Sequence, residues 1–171
     1  MQIKSDVKPG RTIGRFLILY ILLMGIALLL IGLEPVQKIV DINGVYSRGI
    51  VRLSAWGLAP FGIVEGISGS IIRLQGLALD VRFGCNGLEA FLIFAVAVAA
   101  FPAPARKKLV GVAAGFVLLQ VVNVLRIAGL ALVGIYLKDY FNYVHIYVAQ
   151  GLMIAVALLL FLGWLNYATT E

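Results

Sequence analysis

An uninterrupted apolar run, FLILYILLMGIALLLIGL at residues 16–33, constrains the fold of this chain more than any other feature. At about 1.5 Å per residue, a helix of this length spans about 27 Å, close to the roughly 30 Å hydrocarbon core of a bilayer. The composition agrees, since 62% of the 171 residues are hydrophobic, 13% are charged and the mean hydropathy is +1.03. We therefore expect a membrane protein and not a water-soluble domain.

The net charge of +6 does not indicate a nucleic-acid-binding protein, because the Lys and Arg residues cluster at the ends of apolar segments. That pattern is typical of topology signals. Lys4, Lys8, Arg11 and Arg15 precede the first apolar run and predict that the N-terminus lies in the cytoplasm. No small-x-small cleavage site follows, so we expect a retained anchor and not a cleaved signal peptide.

The order of apolar and polar segments predicts an all-α multi-pass membrane protein that forms a single membrane domain over residues 1–171. We predict two cytoplasmic tails, 1–15 and 166–171, and a cytoplasmic turn marked by the basic residues 106–108. The four predicted transmembrane helices are 16–33, 86–101, 109–137 and 144–165.

The third predicted crossing is longer than a bilayer requires. Its 29 residues would measure about 43 Å as a helix, so it must tilt, protrude or break. Its glycines Gly111 and Gly115 form a GxxxG pair suited to close helix packing. The residues at which we would expect a break are Gln120, Asn123, Arg126 and Gly129.

Residues 34–84 contain the main polar part of the chain and are expected to lie outside the cytoplasm. Between Val36 and Leu58 the polar residues follow one helical stripe, which predicts a helix along the outer membrane interface, anchored by Trp56. Along residues 77–83, larger apolar side chains then alternate with alanine or charged side chains. Together with the preceding segment 71–75 they predict a small β-hairpin that leads to the only cysteine.

That cysteine, Cys85, lies between the predicted hairpin and the second crossing. A single cysteine excludes an intramolecular disulfide and a thiol oxidoreductase that needs two cysteines, so it is either a small buried hydrophobe or a nucleophile. A helix N-terminus with Arg82 and Arg126 nearby would stabilise a thiolate, which favours the nucleophile. Gly84 and Gly87 would leave room for a substrate backbone to approach.

The residues after the cysteine have the spacing of a helix start. Asn86 and Glu89 stand three residues apart, as the N-cap and N3 positions of a capping box do, so we predict that the second helix begins immediately after Cys85. We therefore expect Glu89 to act as a helix cap and not as a general acid.

Two further polar residues are expected at the depth of Cys85. Arg126 lies 18 residues beyond Lys108, about 27 Å from the cytoplasmic side, where Asn123 one turn earlier could orient its guanidinium. Inserting an arginine into an apolar helix costs free energy, which favours a functional role for Arg126. The alternative to such a role is that its side chain snorkels toward the outer headgroups. His145, the only histidine, opens the last crossing from outside, and its alternative is contact with headgroups. Three segments would thus bring a thiol, a guanidinium and an imidazole to one leaflet.

The ordered combination of CNGLEAF at 85–91, a basic cytoplasmic turn, NVLRI at 123–127 and a histidine opening the last helix resembles the exosortase/archaeosortase family, and within it the compact exosortase H type. The resemblance covers roughly residues 60–167. It implies an intramembrane cysteine transpeptidase of the bacterial cytoplasmic membrane, with its active site at the extracytoplasmic face and no cofactor or metal. It also implies Cys85 as nucleophile, Arg126 as the family's arginine and His145 as the third catalytic residue. Asn86 stands where many relatives have serine.

The resemblance further implies the partners. The substrates would be membrane-anchored proteins with a C-terminal sorting signal, which consists of a short motif, an apolar helix and a basic tail. They would be cleaved through a thioacyl intermediate and transferred to a lipid or glycan acceptor.

The alternative function is a non-catalytic scaffold, or a subunit that binds anionic lipid through Arg126 and nearby cations. A small transporter is disfavoured because the chain has no evident inverted repeat.

Overall fold

The structure, a computed structural model, describes residues 9–33, 42–82 and 84–170. Three of its helical segments are long and apolar enough to cross a membrane, namely Ile13–Gly32, Ala105–Tyr136 and Lys138–Thr169. The chain is therefore an integral membrane protein, as its composition predicts. We call the helices α1, Pro9–Gly32; α2, Ile42–Leu58; α3, Leu88–Ala100; α4, Ala105–Tyr136; and α5, the continuous helical segment Lys138–Thr169.

The first helix, α1, is the most peripheral of the five. Its proline lies at the first helical position, where a missing N–H costs nothing because no acceptor is available there. None of the residues in its membrane-spanning window is fully buried within the protein, so much of its apolar surface is left to lipid. Near its start, Phe16 packs against Phe101 and Phe161, with ring centroids 6.2 and 6.4 Å apart.

The helices α3, α4 and α5 surround one hydrophobic core. Phe94 of α3, Leu119 of α4 and Trp164 of α5 are all buried in it. A Cβ atom at Gly111 would lie 2.1 Å from Trp164 Nε1, and one at Gly115 would lie 2.1 Å from Phe94 Cε1. The predicted GxxxG pair is thus a close-packing surface, but it accommodates aromatic side chains and not the backbone of another helix.

The long helix α4 is unbroken over its 32 residues, which corresponds to about 48 Å. No break occurs at any of the four positions where one was expected. Instead, Ile127 and Ala131 near the C-terminal end of the unbroken helix join a second core with α2 and the sheet. This second core, formed with Val51, Leu58 and Ile72, accounts for the excess length of the helix.

The small sheet has three antiparallel strands in the order β1-β2-β3: Val64–Ser68, Ile71–Leu74 and Leu77–Asp80. β2 and β3 correspond to the two strands of the predicted hairpin; Phe83, at the end of its alternating pattern, lies outside the described residues. The fold is mostly helical, as predicted, but β1 adds a third strand that the predicted hairpin does not include. The reason is that Gly66 and a register shift beside it interrupt the alternation in β1.

Helix α2 covers most of the predicted interfacial helix; residues 36–41 lie outside the described part of the chain. Its inner face, including Val51 and Leu58, packs on the sheet and on α4. Its outer face carries Trp56, which is 80% exposed, next to exposed Leu53 and Arg52. An aromatic ring between apolar and basic side chains is the composition expected at a membrane interface.

Candidate functional site

The structure brings the only cysteine and the only histidine into contact. The sulfur of Cys85 lies 2.8 Å from His145 Nε2, and the thiol is free and half-buried. Cys85 stands in a tight turn, because the backbone N–H groups of Cys85 and Asn86 both donate to the Arg82 carbonyl at 2.8 and 2.9 Å. Gly84 adopts a positive φ of 89° in this turn, a conformation that favours glycine.

His145 stands on a local irregularity of α5. Residues Val144–Ala149 form a π-helical segment between a short α-helical turn and the regular helix Gln150–Thr169. Such wide turns are uncommon and occur frequently at functional sites, since they change the direction in which a side chain projects. The imidazole is further held by Phe141, whose ring is parallel to it within 5° at a centroid distance of 5.8 Å.

Arg126 lies inside the protein and is only 6% exposed. Its Nη1 donates to Asn123 Oδ1 and its Nη2 to the Gly84 carbonyl, both over long distances of 3.4 Å. The guanidinium also interacts electrostatically with Cys85 and Glu89. A snorkelling arginine would expose its charged end, whereas this one is directed to the turn that carries the thiol.

The predicted capping box is wrong. Helix α3 begins at Leu88, and its N-cap is Gly87, without a side-chain cap. Asn86 is completely buried and accepts a hydrogen bond from the Leu88 N–H at 3.0 Å, while its Nδ2 donates to Ser47 Oγ of α2 at 2.9 Å. The helix thus starts one residue later than the capping box requires, and Asn86 ties the cysteine turn to α2.

Glu89 has a different role from the predicted cap. Its Oε2 accepts a hydrogen bond of 3.3 Å from Gln150 Nε2, and its carboxylate interacts electrostatically with the Arg126 guanidinium. A void of about 10 Å³ lies beside these groups, a volume close to that of one water molecule. Sequence reasoning missed Gln150, although a polar residue five positions after His145 in an apolar helix was a usable signal.

The two glycines beside the thiol are not equivalent. Gly87 has a φ of +80°, and a Cβ atom there would lie 2.8 Å from Asn123 Cγ. The space beside Gly87 is therefore occupied by the fully buried Asn123, and not left for a substrate as predicted. A Cβ atom at Gly84 would meet only the Glu89 carboxylate within 4 Å, at 3.8 Å.

A cleft of about 140 Å³ opens beside the thiol and the imidazole. One wall is β3 with Val81 after it, and the other is formed by the C-terminal part of α4 and the start of α5. Cys85, Arg126 and His145 all line it. In the described ranges, no three or more His, Cys, Asp or Glu side chains are grouped so that they could hold a metal ion.

Comparison with protein families gives one match. The family described as transmembrane exosortase, of the EpsH type, matches residues 9–163, which is most of the chain. The matched range contains the cysteine turn, Asn123 and Arg126 of α4, and His145. No curated protein and no solved structure matches the chain.

Proposed function

The chain belongs to the transmembrane exosortase family, and from this membership we propose that it is an intramembrane cysteine transpeptidase in which Cys85 is the nucleophile. The observation that carries the proposal is the 2.8 Å contact between the Cys85 sulfur and His145 Nε2. A thiol next to an imidazole is the arrangement by which proteins activate cysteine for attack on a carbonyl. The cleft beside this pair provides access for a peptide.

The first half of the reaction cleaves the substrate. His145 Nε2 takes the thiol proton as the sulfur attacks the carbonyl carbon of the scissile peptide. When the tetrahedral intermediate collapses, the C–N bond breaks and His145 returns the proton to the leaving amine. The N-terminal part of the substrate is then held as a thioester on Cys85.

The second half transfers the substrate. An acceptor amine or hydroxyl of a lipid or glycan gives a proton to His145 and attacks the thioester carbonyl. The S–C bond breaks, the proton returns to the sulfur and the substrate is released on the acceptor. Water in place of the acceptor would give hydrolysis.

Arg126 would stabilise the oxyanion of both tetrahedral intermediates. Its charge is permanent, and its burial removes competing water, which strengthens a charge interaction. Its Nε is buried and has no hydrogen-bond partner among the described residues. Asn123 and the Gly84 carbonyl each accept one N–H and hold the guanidinium in place, so that Nε and the second N–H groups of Nη1 and Nη2 remain as donors for the substrate.

We propose four membrane crossings, and the way α3 lies against α4 supports the fourth. At 13 residues, about 20 Å, α3 alone is shorter than the hydrocarbon core. The chain between Gly87, which contacts Asn123, and Ala105 nevertheless runs beside 18 residues of α4, or about 27 Å. This length supports the proposal that α3 and the non-helical residues 101–104 cross together. With the proposed cytoplasmic N-terminus, the thiol would then lie at the extracytoplasmic face of the bacterial cytoplasmic membrane.

The basic turn supports this orientation. Lys107 Nζ donates to the Thr170 carbonyl at 2.6 Å and Lys108 Nζ to the Ala99 carbonyl at 2.6 Å. These two cations thereby satisfy carbonyls at the C-terminal ends of α5 and α3. Positive charge gathered at this end of the bundle is the usual mark of the cytoplasmic side.

The proposed substrates are exported proteins that end in a short motif, an apolar helix and a basic tail. To test the proposal, a reporter with such a tail is co-expressed with the wild type or with Cys85→Ala. The wild type should shorten the reporter, and hydroxylamine should release it as a hydroxamate from the thioester. Cys85→Ala should leave it full-length, and cleavage at the wild-type rate by this variant would refute the proposal.

The alternative, a scaffold or anionic-lipid-binding subunit, rests on cations such as Arg126. Because Arg126 is 6% exposed and bound to the cysteine turn, it is poorly placed to hold a headgroup. The two functions differ in thiol chemistry. A catalytic Cys85 reacts rapidly with a membrane-impermeant alkylating reagent near neutral pH, and a packing cysteine does not.

A further inference from the structure

We propose that the outer edge of β3 is the docking site for the substrate, and that the extended segment around the scissile bond pairs with it as a fourth strand. The inference rests on the proposed function, since it requires that Cys85 attacks a peptide. It adds how that peptide is held. The occupant is one stretch of substrate backbone in extended conformation, recognised chiefly through main-chain hydrogen bonds.

The edge of β3 is available for pairing. β3 is an outer strand because the sheet order is β1-β2-β3. The Val81 N–H donates to the Ser70 carbonyl at 2.8 Å, so the backbone of Val81 faces β2. Backbone direction alternates along an antiparallel strand, so the N–H and C=O groups of Ala78 and Asp80 face the opposite, outer side. Exposed strand edges of this kind are templates for an added strand.

The same edge leads to the reactive thiol. Residues Ala78 to Val81 and the side chains of Cys85, Arg126 and His145 line one cleft. A peptide paired with β3 would therefore lie in the cleft that contains the nucleophile, its base and the proposed oxyanion donor. Pairing in extended form also presents each carbonyl in a defined direction, which a flexible peptide does not.

The opposite wall of the cleft sets a side-chain preference. It is built from Ile127 and Leu130 of α4 and Phe141 of α5, all apolar. Side chains of an added strand alternate between its two faces. The substrate would therefore carry an apolar residue at the position that faces this wall, and the residues directly before and after it would face solvent on the same side as Ala78.

The other outer strand provides a matched control. Ile71 of β2 and Asp80 of β3 form a non-hydrogen-bonded pair, so the N–H and C=O groups of Ile71 point to β1 and bond the residue opposite in β1. Ile67 is the neighbour of that residue in β1, and backbone direction alternates along the strand. The N–H of Ile67 therefore faces the outer side of β1, away from the cleft, just as the N–H of Ala78 faces the outer side of β3. Proline at either position removes an outward N–H and leaves the hydrogen bonds to β2 intact.

The first experiment compares Ala78→Pro with Ile67→Pro in reporter cleavage. Ala78→Pro should lower kcat/KM about tenfold, mainly through KM, while the rate of Cys85 alkylation by a small maleimide stays unchanged. Ile67→Pro should cleave like the wild type. Equal cleavage by both proline variants would overturn the proposal.

The second experiment does not depend on activity or on tolerance of proline. In the Cys85→Ala background, Ala78→Cys is oxidised with reporters that carry one cysteine at successive positions around the scissile bond. Cross-links should form at alternate positions, as strand pairing requires, and Ile67→Cys should form none. Cross-links without alternation, or disulfide-linked homodimers in place of substrate adducts, would refute strand pairing. Loss of reporter cleavage in Cys85→Ala tests the proposed function separately.

Discussion

The sulfur of Cys85 lies 2.8 Å from Nε2 of His145, although 60 positions separate the two residues in the chain. Two irregular pieces of backbone bring them together. One is the tight turn before α3, in which Gly84 has a positive φ, and the other is the π-helical segment Val144–Ala149. A reactive pair built on such features depends on their geometry, so the following predictions test both the chemistry and the supports of the site.

Replacing His145 with Ala should slow alkylation of Cys85 about tenfold near neutral pH, because the thiol loses the base that takes its proton. The rate is measured with a membrane-impermeant maleimide on the purified protein. Tyr147→Ala, an exposed residue on the same π-helical segment, is the control and should react like the wild type. An unchanged rate in a correctly folded His145→Ala protein would contradict an activating role.

Replacing Arg126 with Lys should lower reporter cleavage about 10²-fold, the usual effect of removing one oxyanion donor. Lysine keeps the charge but cannot contact both Asn123 Oδ1 and the Gly84 carbonyl with a planar group. Cleavage is followed by immunoblot over time. Arg52→Lys, an exposed arginine on α2, should have no effect. Normal cleavage by Arg126→Lys would mean that only the charge at this position matters.

Replacing Gly87 with Ala should destabilise the protein by about 1–3 kcal/mol, because the residue has a positive φ and its Cβ would lie 2.8 Å from Asn123 Cγ. The measurement is Tm in detergent. Gly129→Ala is the control, since a Cβ there meets no atom within 4 Å and alanine favours a helix. An equal or higher Tm for Gly87→Ala would show that the turn can relax away from α4.

The four-crossing topology predicts opposite accessibility for two engineered cysteines in the Cys85→Ala background. Arg82→Cys, at an exposed position before the cysteine turn, should be labelled by an impermeant maleimide in intact spheroplasts. Thr170→Cys, next to the basic turn, should be labelled only after permeabilisation. Labelling of both positions in intact spheroplasts would exclude the proposed orientation.

Much of the site could be predicted from positions along the chain. Arg126 was expected about 27 Å above the basic turn and His145 at the outer end of the last helix, since the rise per residue of a helix converts sequence distance into depth. The partners of the polar side chains could not be predicted in this way. Asn86 and Glu89 fitted a capping box by spacing, but Ser47 and Gln150 from other segments compete for them.

The sequence by itself determined that the chain spans a membrane, which segments are apolar, and at which end of the bundle the thiol, guanidinium and imidazole lie. It could do so because lipid offers no hydrogen bonds, which forces each apolar run to be a helix of calculable length. Only the tertiary structure decided how each helix is rotated and that α4 continues unbroken into a second core with α2 and the sheet. It also decided that a third strand joins the hairpin and that the edge of β3 borders the thiol. These features depend on contacts between distant segments, and the depth of a residue in the membrane does not specify which neighbour its side chain meets.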